Sequence, residues 1–290
     1  MLKTLCDELD FPEEAGTYFA SLERRIQAQE TLVSVMEAAK QDYFEEGLQH
    51  LELLAEVAER MDAHPYSIHM LLLLRCAPDL RKVYEARGWE DSLFLETMGD
   101  LRCKMLECRR LYDVWGTCVL HWFRPFFRCD RVALGRLQFE RRPWYGPGCE
   151  PWLTEGEPAW WCHIPSGAPC RPEDVLDSLR RAYAFFGFDG GIFAVSCKSW
   201  MLYPPHVPLF PEGGNLAEFH KNFHVFFQEE RENTDLWRIF GRKELGDPCT
   251  LPQETTLQRN FAAWLSGGNR MGIGTGLLLF DGNTVLTFHD

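Results

Sequence analysis

Two spacings of apolar residues divide the chain. Up to about residue 125, apolar positions recur every three or four residues, the period of one helix face. Leu32, Val35, Met36 and Ala39 form one such stripe, and Leu48, Leu51, Leu54, Ala55 and Ala58 form the next. His64-Pro65 breaks the chain, because proline lacks the amide donor and restricts the residue before it. A further apolar helix is predicted from near Ser67 through the leucine run 71–74, with Pro78 kinking or interrupting it and Gly88 ending it. Ser92 ahead of Leu93, with Glu96 following, reads as a capped start to a helix that reaches about Trp115-Gly116.

Beyond Pro125 strand-like runs alternate with helical stripes. Residues 131–140 read as one strand, with Arg136, Gln138 and Glu140 on a single face. Residues 159–164 form a second strand, stopped by Pro165. Pro172, Glu173 and Asp174 open a helix whose stripe is Val175, Leu176, Leu179, Ala182, Tyr183 and Phe186, and Gly187 closes it. Residues 191–197 are nearly all apolar, as in a strand covered on both faces. A helix over 215–221, a strand over 223–227 and a helix over 257–265 follow. The end reads as a hairpin, 276–280 and 285–288, turning at Asp281-Gly282. The fold class is therefore α+β or α/β: a helical domain over 1–125, then a mixed β-sheet flanked by helices over 126–290.

Composition narrows the function classes. The chain has 290 residues, of which 46% are hydrophobic and 25% charged, as in a folded core-forming protein rather than a disordered one. A net charge of −13 lacks the basic footprint of a nucleic-acid partner and gives no attraction to an anionic membrane. The first residues carry neither the basic nor the apolar region of a signal peptide. The longest apolar run, 70–74, is far short of the roughly 20 residues that span a bilayer. The eleven cysteines are odd in number and hold no C-x2-C pair, so reduced thiols in a cytoplasmic setting are expected, mostly as small core residues.

Five stretches carry a resemblance. LGRLQFE (134–140), HIPSGAP (163–169), SWML (199–202), IFG (239–241) and TTLQRNF (255–261) resemble an acyltransferase family that joins a helical N-acyltransferase N-terminal domain to a GNAT-like C-terminal domain. The resemblance implies that acyl-CoA, as co-substrate, enters where two central parallel strands splay. It also implies that the pyrophosphate lies on main-chain amides in the turn after the first of them. Here that cofactor-binding turn is Ile164, Pro165, Ser166, Gly167 and Ala168, leading to the helix near Pro172. Free amides and the positive end of a helix suit a pyrophosphate, and Gly167 lets the main chain approach it. The spaced-glycine signature usual in such turns is absent, two prolines remove donors, and Glu173 and Asp174 already complement the helix dipole.

Acyl transfer to an amine needs a base, a polarised thioester carbonyl and, in some enzymes, an acid for the leaving thiolate. Glu140 and His163 are the candidate bases. Tyr203, placed after the next strand, is the general acid that the resemblance implies. Arg136, Gln138, Ser199 and Trp200 are candidate substrate contacts. A covalent acyl intermediate on Cys197 or Ser199 is disfavoured, since Cys197 lies in an apolar run that keeps a thiol protonated. His220-x3-His224 has helical metal-pair spacing without an acidic third ligand, so no metal is expected. Gly272-Ile273-Gly274-Thr275-Gly276 precedes a strand and lacks a phosphate-loop lysine, which reads as a close-packed strand. Trp160-Trp161 fits a pocket wall or a core equally well. Two functions follow: an N-acyltransferase using acyl-CoA and a small amine-bearing acceptor, or a non-catalytic small-ligand-binding or sensor module on the same core.

Overall fold

In the computed structural model, the described residues are 2–45, 51–146, 153–231, 235–242 and 246–286. Leu48 of the predicted second stripe, and Thr287-Phe288 of the predicted hairpin, lie outside them. The chain divides into two compact units, Met1–Ala133 and Leu134–Asp290.

The first unit is helical: α1 (Leu2–Glu8), α2 (Glu13–Gln27), α3 (Glu30–Glu45), α4 (Leu51–Arg60), α5 (Pro65–Ala86), α6 (Asp91–Tyr112) and the short α7 (Arg124–Phe127). His64 caps α5, its Nδ1 accepting from the Tyr66 amide, and Pro65 sits at the first helical position, where its missing donor costs nothing. Pro78 does not interrupt the helix, contrary to expectation. Met70 to Leu74, Cys76, Ala77 and Leu80 are buried on both sides of it, and that packing outweighs the lost bond, worth about 3 kcal/mol. Ser92 is not the cap of α6 either. The helix starts at Asp91 with Glu90 at the cap position, and it ends at Tyr112 because Asp113 turns left-handed.

The second unit is a mixed sheet with helices. Strand β1 (Arg131–Leu134) spans the division between the units, and the elements after it are β2 (Leu137–Pro143), β3 (Pro158–His163), α8 (Pro172–Phe185), β4 (Phe193–Ser199), α9 (Asn215–Lys221), β5 (His224–Glu230), α10 (Leu236–Phe240), α11 (Thr256–Ser266), β6 (Gly272–Phe280) and β7 (Val285–Leu286). The strand order is β1-β2-β3-β4-β6-β5, with β7 also beside β6. β3 and β4 are parallel, joined through α8, whereas β2–β3, β4–β6, β5–β6 and β6–β7 are antiparallel.

One correction shapes the site. Residues 131–140 are two strands, because Gly135 takes φ +76° and folds the chain back between β1 and β2. All four residues of β1 are buried, so the run shows no alternation that would have exposed the turn.

Strand alternation then separates the two faces. Phe139 and Trp160 pack with Phe193 on the α8 side, where Trp160 stacks on Phe186 at 3.6 Å. Trp161 points the other way, toward Trp144 in a core with Leu153, Ala159, Ala194, Leu277 and Leu279. Strand β6 is buried throughout, and its glycines are seats for other chain segments. A Cβ on Gly272 would meet the Tyr203 ring, and one on Gly274 would meet the Leu202 carbonyl.

Candidate active site

The β1–β2 turn is docked on helix α8. The Ser178 hydroxyl, fully buried, accepts from the Leu137 amide at 3.2 Å and donates to the Asp174 carbonyl at 2.8 Å. A Cβ on Gly135 would come within 2.8 Å of that hydroxyl, so glycine serves both the positive φ and the close approach. This docking delivers Arg136 to the turn between β3 and α8. Its Nε donates to the Pro169 carbonyl at 3.0 Å, and its Nη2 donates to the Pro165 and Ala168 carbonyls at 2.8 and 2.7 Å. Arg136 was expected on a strand face beside Gln138 and Glu140; it lies instead in the turn, with its guanidinium spent on main-chain carbonyls.

The turn itself is exposed at Gly167 and Ala168. Gly167 takes φ +100°, and a Cβ there would meet nothing within 4 Å. Among the described residues, the Gly167 and Ala168 amides donate to no other main-chain group. Helix α8 then opens with Pro172 in its first turn and no side-chain cap from Arg171. Uncapped amides at a helix start attract an anion, while Glu173 and Asp174 in the same turn oppose one.

The parallel strands separate beside this turn. β3 and β4 pair at Trp160–Val195 and Trp161–Ser196, yet β3 continues to His163 and β4 to Ser199. Just past the last pair, the Cys162 and Cys197 thiols meet. Their hydrogen bond, followed by burial, pushes the Cys197 thiol well above its ordinary pKa, which removes it as a nucleophile.

On the face away from α8, β2 and β3 bring three polar side chains together. Gln138 lies opposite His163 in the ladder, and Glu140 lies opposite Trp161. Glu140 reaches diagonally to His163, Oε2 to Nε2 at 2.9 Å, and its Oε1 accepts from Arg142 Nε at 2.9 Å. The Glu140 side chain is 5% exposed, His163 18% and Arg142 52%. A buried carboxylate held by a cation on one oxygen thus orients an imidazole on the other. If Nε2–H donates to the carboxylate, the lone pair sits on Nδ1, the nitrogen that can take a proton. On the same face Gln138 Oε1 and Trp161 Nε1 are buried without a hydrogen-bond partner among the described residues.

The remaining sequence candidates make their contacts elsewhere. The Ser199 hydroxyl accepts from the Met201 amide and caps a short 3-10 turn, Trp200–Leu202. Trp200 is buried against Phe210 and Phe261. Tyr203 packs over Gly272 and against His206 at 4.8 Å; burial, with the Glu230 charge second, raises its hydroxyl pKa. His220 ends α9 and His224 begins β5, so the two do not share a helix face. Among the described residues no three His, Cys, Asp or Glu side chains are grouped to hold a metal.

Sequence reasoning missed Arg142 as the counter-ion of Glu140. Starting the strand at Leu137 would have shown Gln138, Glu140 and Arg142 on one face by their spacing of two.

A parallel pair that opens beside a strand–turn–helix, within a mixed sheet preceded by a helical unit, is the architecture of GNAT-like acyltransferases. The chain belongs to the family defined by an N-acyltransferase N-terminal domain, matched over residues 1–129, and a GNAT-like C-terminal domain, matched over 132–278. Solved structures share the fold. An acyltransferase mutant in complex with octanoyl-CoA aligns with a TM-score of 0.74 at 21% identity, covering 94% of this chain and 86% of its own. An acyltransferase in complex with decanoyl-CoA and teicoplanin aligns at 0.73 and 21% identity, over the same 94% and 86%. An acyltransferase with decanoyl-CoA alone aligns at 0.64 and 21%, over 95% and 98%. No curated protein matches the sequence.

Proposed function

We propose that the chain is an acyl-CoA-dependent N-acyltransferase in which His163 is the general base. The observation that carries the reading is the 2.9 Å Glu140–His163 bond at the end of β3, where that strand runs into the Arg136-bound turn. The CoA pyrophosphate lies on the 164–168 turn, and the pantetheine arm enters between the ends of β3 and β4. His163 Nδ1 removes a proton from the acceptor's ammonium, and Glu140 steadies the imidazolium that forms. The free amine attacks the thioester carbonyl. The attacking nitrogen gives its remaining extra proton to water, the tetrahedral intermediate collapses with the C–S bond breaking, and the thiolate of CoA takes a proton. Tyr203, a phenol protonated at neutral pH, is the candidate donor of that proton.

The partners are small molecules, an acyl-CoA and an amine-bearing acceptor. The octanoyl- and decanoyl-CoA held by the related folds make medium acyl chains the first to try. A reducing, cytoplasmic setting agrees with the free thiols of the described cysteines. No helix among the described residues is long and apolar enough to cross a membrane.

Calorimetric titration with acetyl-, octanoyl- and decanoyl-CoA tests the proposal. Binding of at least one, with turnover that His163→Gln abolishes, is the expected result; no heat from any of the three rejects it. The acidic first turn of α8 favours a second reading, a binding module that retains the cleft without turnover. That reading predicts binding with no thiol release in the presence of any amine.

A further inference from the structure

We propose that Arg136 is a positioning residue that shapes the 165–169 turn for an anion, setting affinity for the pyrophosphate end of the donor while taking no part in acyl transfer. The inference rests on the reading that this turn cradles the pyrophosphate.

Three observations carry it. First, carbonyl oxygens repel an anion, and in this turn those of Pro165, Ala168 and Pro169 are all committed to one guanidinium, at 2.8, 2.7 and 3.0 Å. The Gly167 and Ala168 amides, exposed and donating to no main-chain group among the described residues, remain for a ligand. Second, the turn is short of main-chain donors of its own. Pro165 and Pro169 have no amide to donate, and Gly167 at φ +100° is the most pliable residue type. The guanidinium ties the segments on both sides of Gly167. Third, the guanidinium reaches Pro169, three residues ahead of the first turn of α8, whose Glu173 and Asp174 oppose a phosphate.

The β1–β2 hairpin supplies this residue from a fixed place. Ser178 of α8 holds the Leu137 amide, so the helix that follows the turn also anchors the hairpin that braces it. A lysine at 136 would keep the charge but not the planar fork that serves three acceptors from two nitrogens.

The test compares calorimetric Kd values for octanoyl-CoA and octanoyl-pantetheine, which lacks the pyrophosphate, in wild type, Arg136→Lys and Arg136→Met. Wild type is expected to prefer octanoyl-CoA. In Arg136→Met that preference falls about tenfold or more, the scale of lost charge-assisted bonds, while octanoyl-pantetheine binds within about twofold of wild type. Arg136→Lys loses the preference too, and the part it keeps disappears as salt is raised. Equal weakening of both ligands in a folded variant overturns the positioning role, because a general structural defect does not distinguish them. An unchanged preference in either variant overturns it as well. No preference in wild type rejects the pyrophosphate cradle itself, and this proposal with it. Arg136→Lys carries the test if Arg136→Met does not fold.

Discussion

Two histidines of the sheet unit stand in opposed surroundings. At the end of the β2–β3 ladder, His163 is partly exposed and bonded to a carboxylate that is itself paired with Arg142. In the nest formed by residues 200–210 and α11, His206 is fully buried among Trp200, Tyr203, Phe261 and Trp264. Its Nδ1 meets the Trp200 carbonyl at 2.8 Å, and its Nε2 has no partner among the described residues. Burial lowers the His206 pKa to about 4, so the ring is locked neutral. An imidazole becomes useful for proton transfer when a carboxylate and an opening come with it. In the aromatic nest it is a core residue.

The largest expected separation between the two regions is in turnover. His163→Gln should lower acyl-CoA-dependent thiol release by about a thousandfold, within the range for a general base, with a thermal midpoint close to wild type. His206→Phe should retain most of the activity. Equal losses in the two variants would erase the distinction.

The next effect is in stability against pH, and there the order reverses. The folded pKa of His206 is depressed, so the unfolded chain binds a proton that the folded chain refuses. Stability is therefore full above pH about 6.5 and falls between there and about 4, by about 3 kcal/mol for this one residue. His69 and His220, also lowered by burial, act in the same direction. Urea midpoints across pH 7 to 4 should fall less steeply in His206→Phe. An unchanged slope would assign the acid sensitivity elsewhere.

Glu140→Gln sharpens the comparison further. It keeps a hydrogen-bond acceptor for His163 but removes the charge that stabilises an imidazolium, and it should cost about ten- to a hundredfold in kcat, less than loss of the base itself. The smallest effect is at Gln138. Its Oε1 is buried and has no partner among the described residues, so Gln138→Leu should leave stability unchanged or raise it by about 1 kcal/mol. A fall in the thermal midpoint would show that the amide has a partner in solution.

Legibility in the sequence followed the strength of local signals. The helix expected at 215–221 is present, and so is the one opened by Pro172, which carried an apolar stripe. The Asp281-Gly282 turn between β6 and β7 is likewise in place. The hairpin at Gly135 was hidden because β1 is buried at every residue, so no alternation marks its end. Pro78 misled because local propensity is overridden when a helix is enclosed. Within the site, Glu140 and His163 were visible as separate candidates for a base. Their pairing depends on the register of β2 against β3, which no local pattern encodes. The service Arg136 gives to the 165–169 turn was invisible for the same reason: its partners lie about thirty residues away.

The Gly-Ile-Gly-Thr-Gly stretch of β6 has a consequence for anyone who scans this chain by substitution. At 274 any larger residue would act as a wedge beneath the Leu202 carbonyl, and at 272 beneath the ring of Tyr203. Such variants would behave like damage to a nucleotide-gripping loop, intolerant at alternate glycines, although what rests on those bare positions is the protein's own main chain and one aromatic ring.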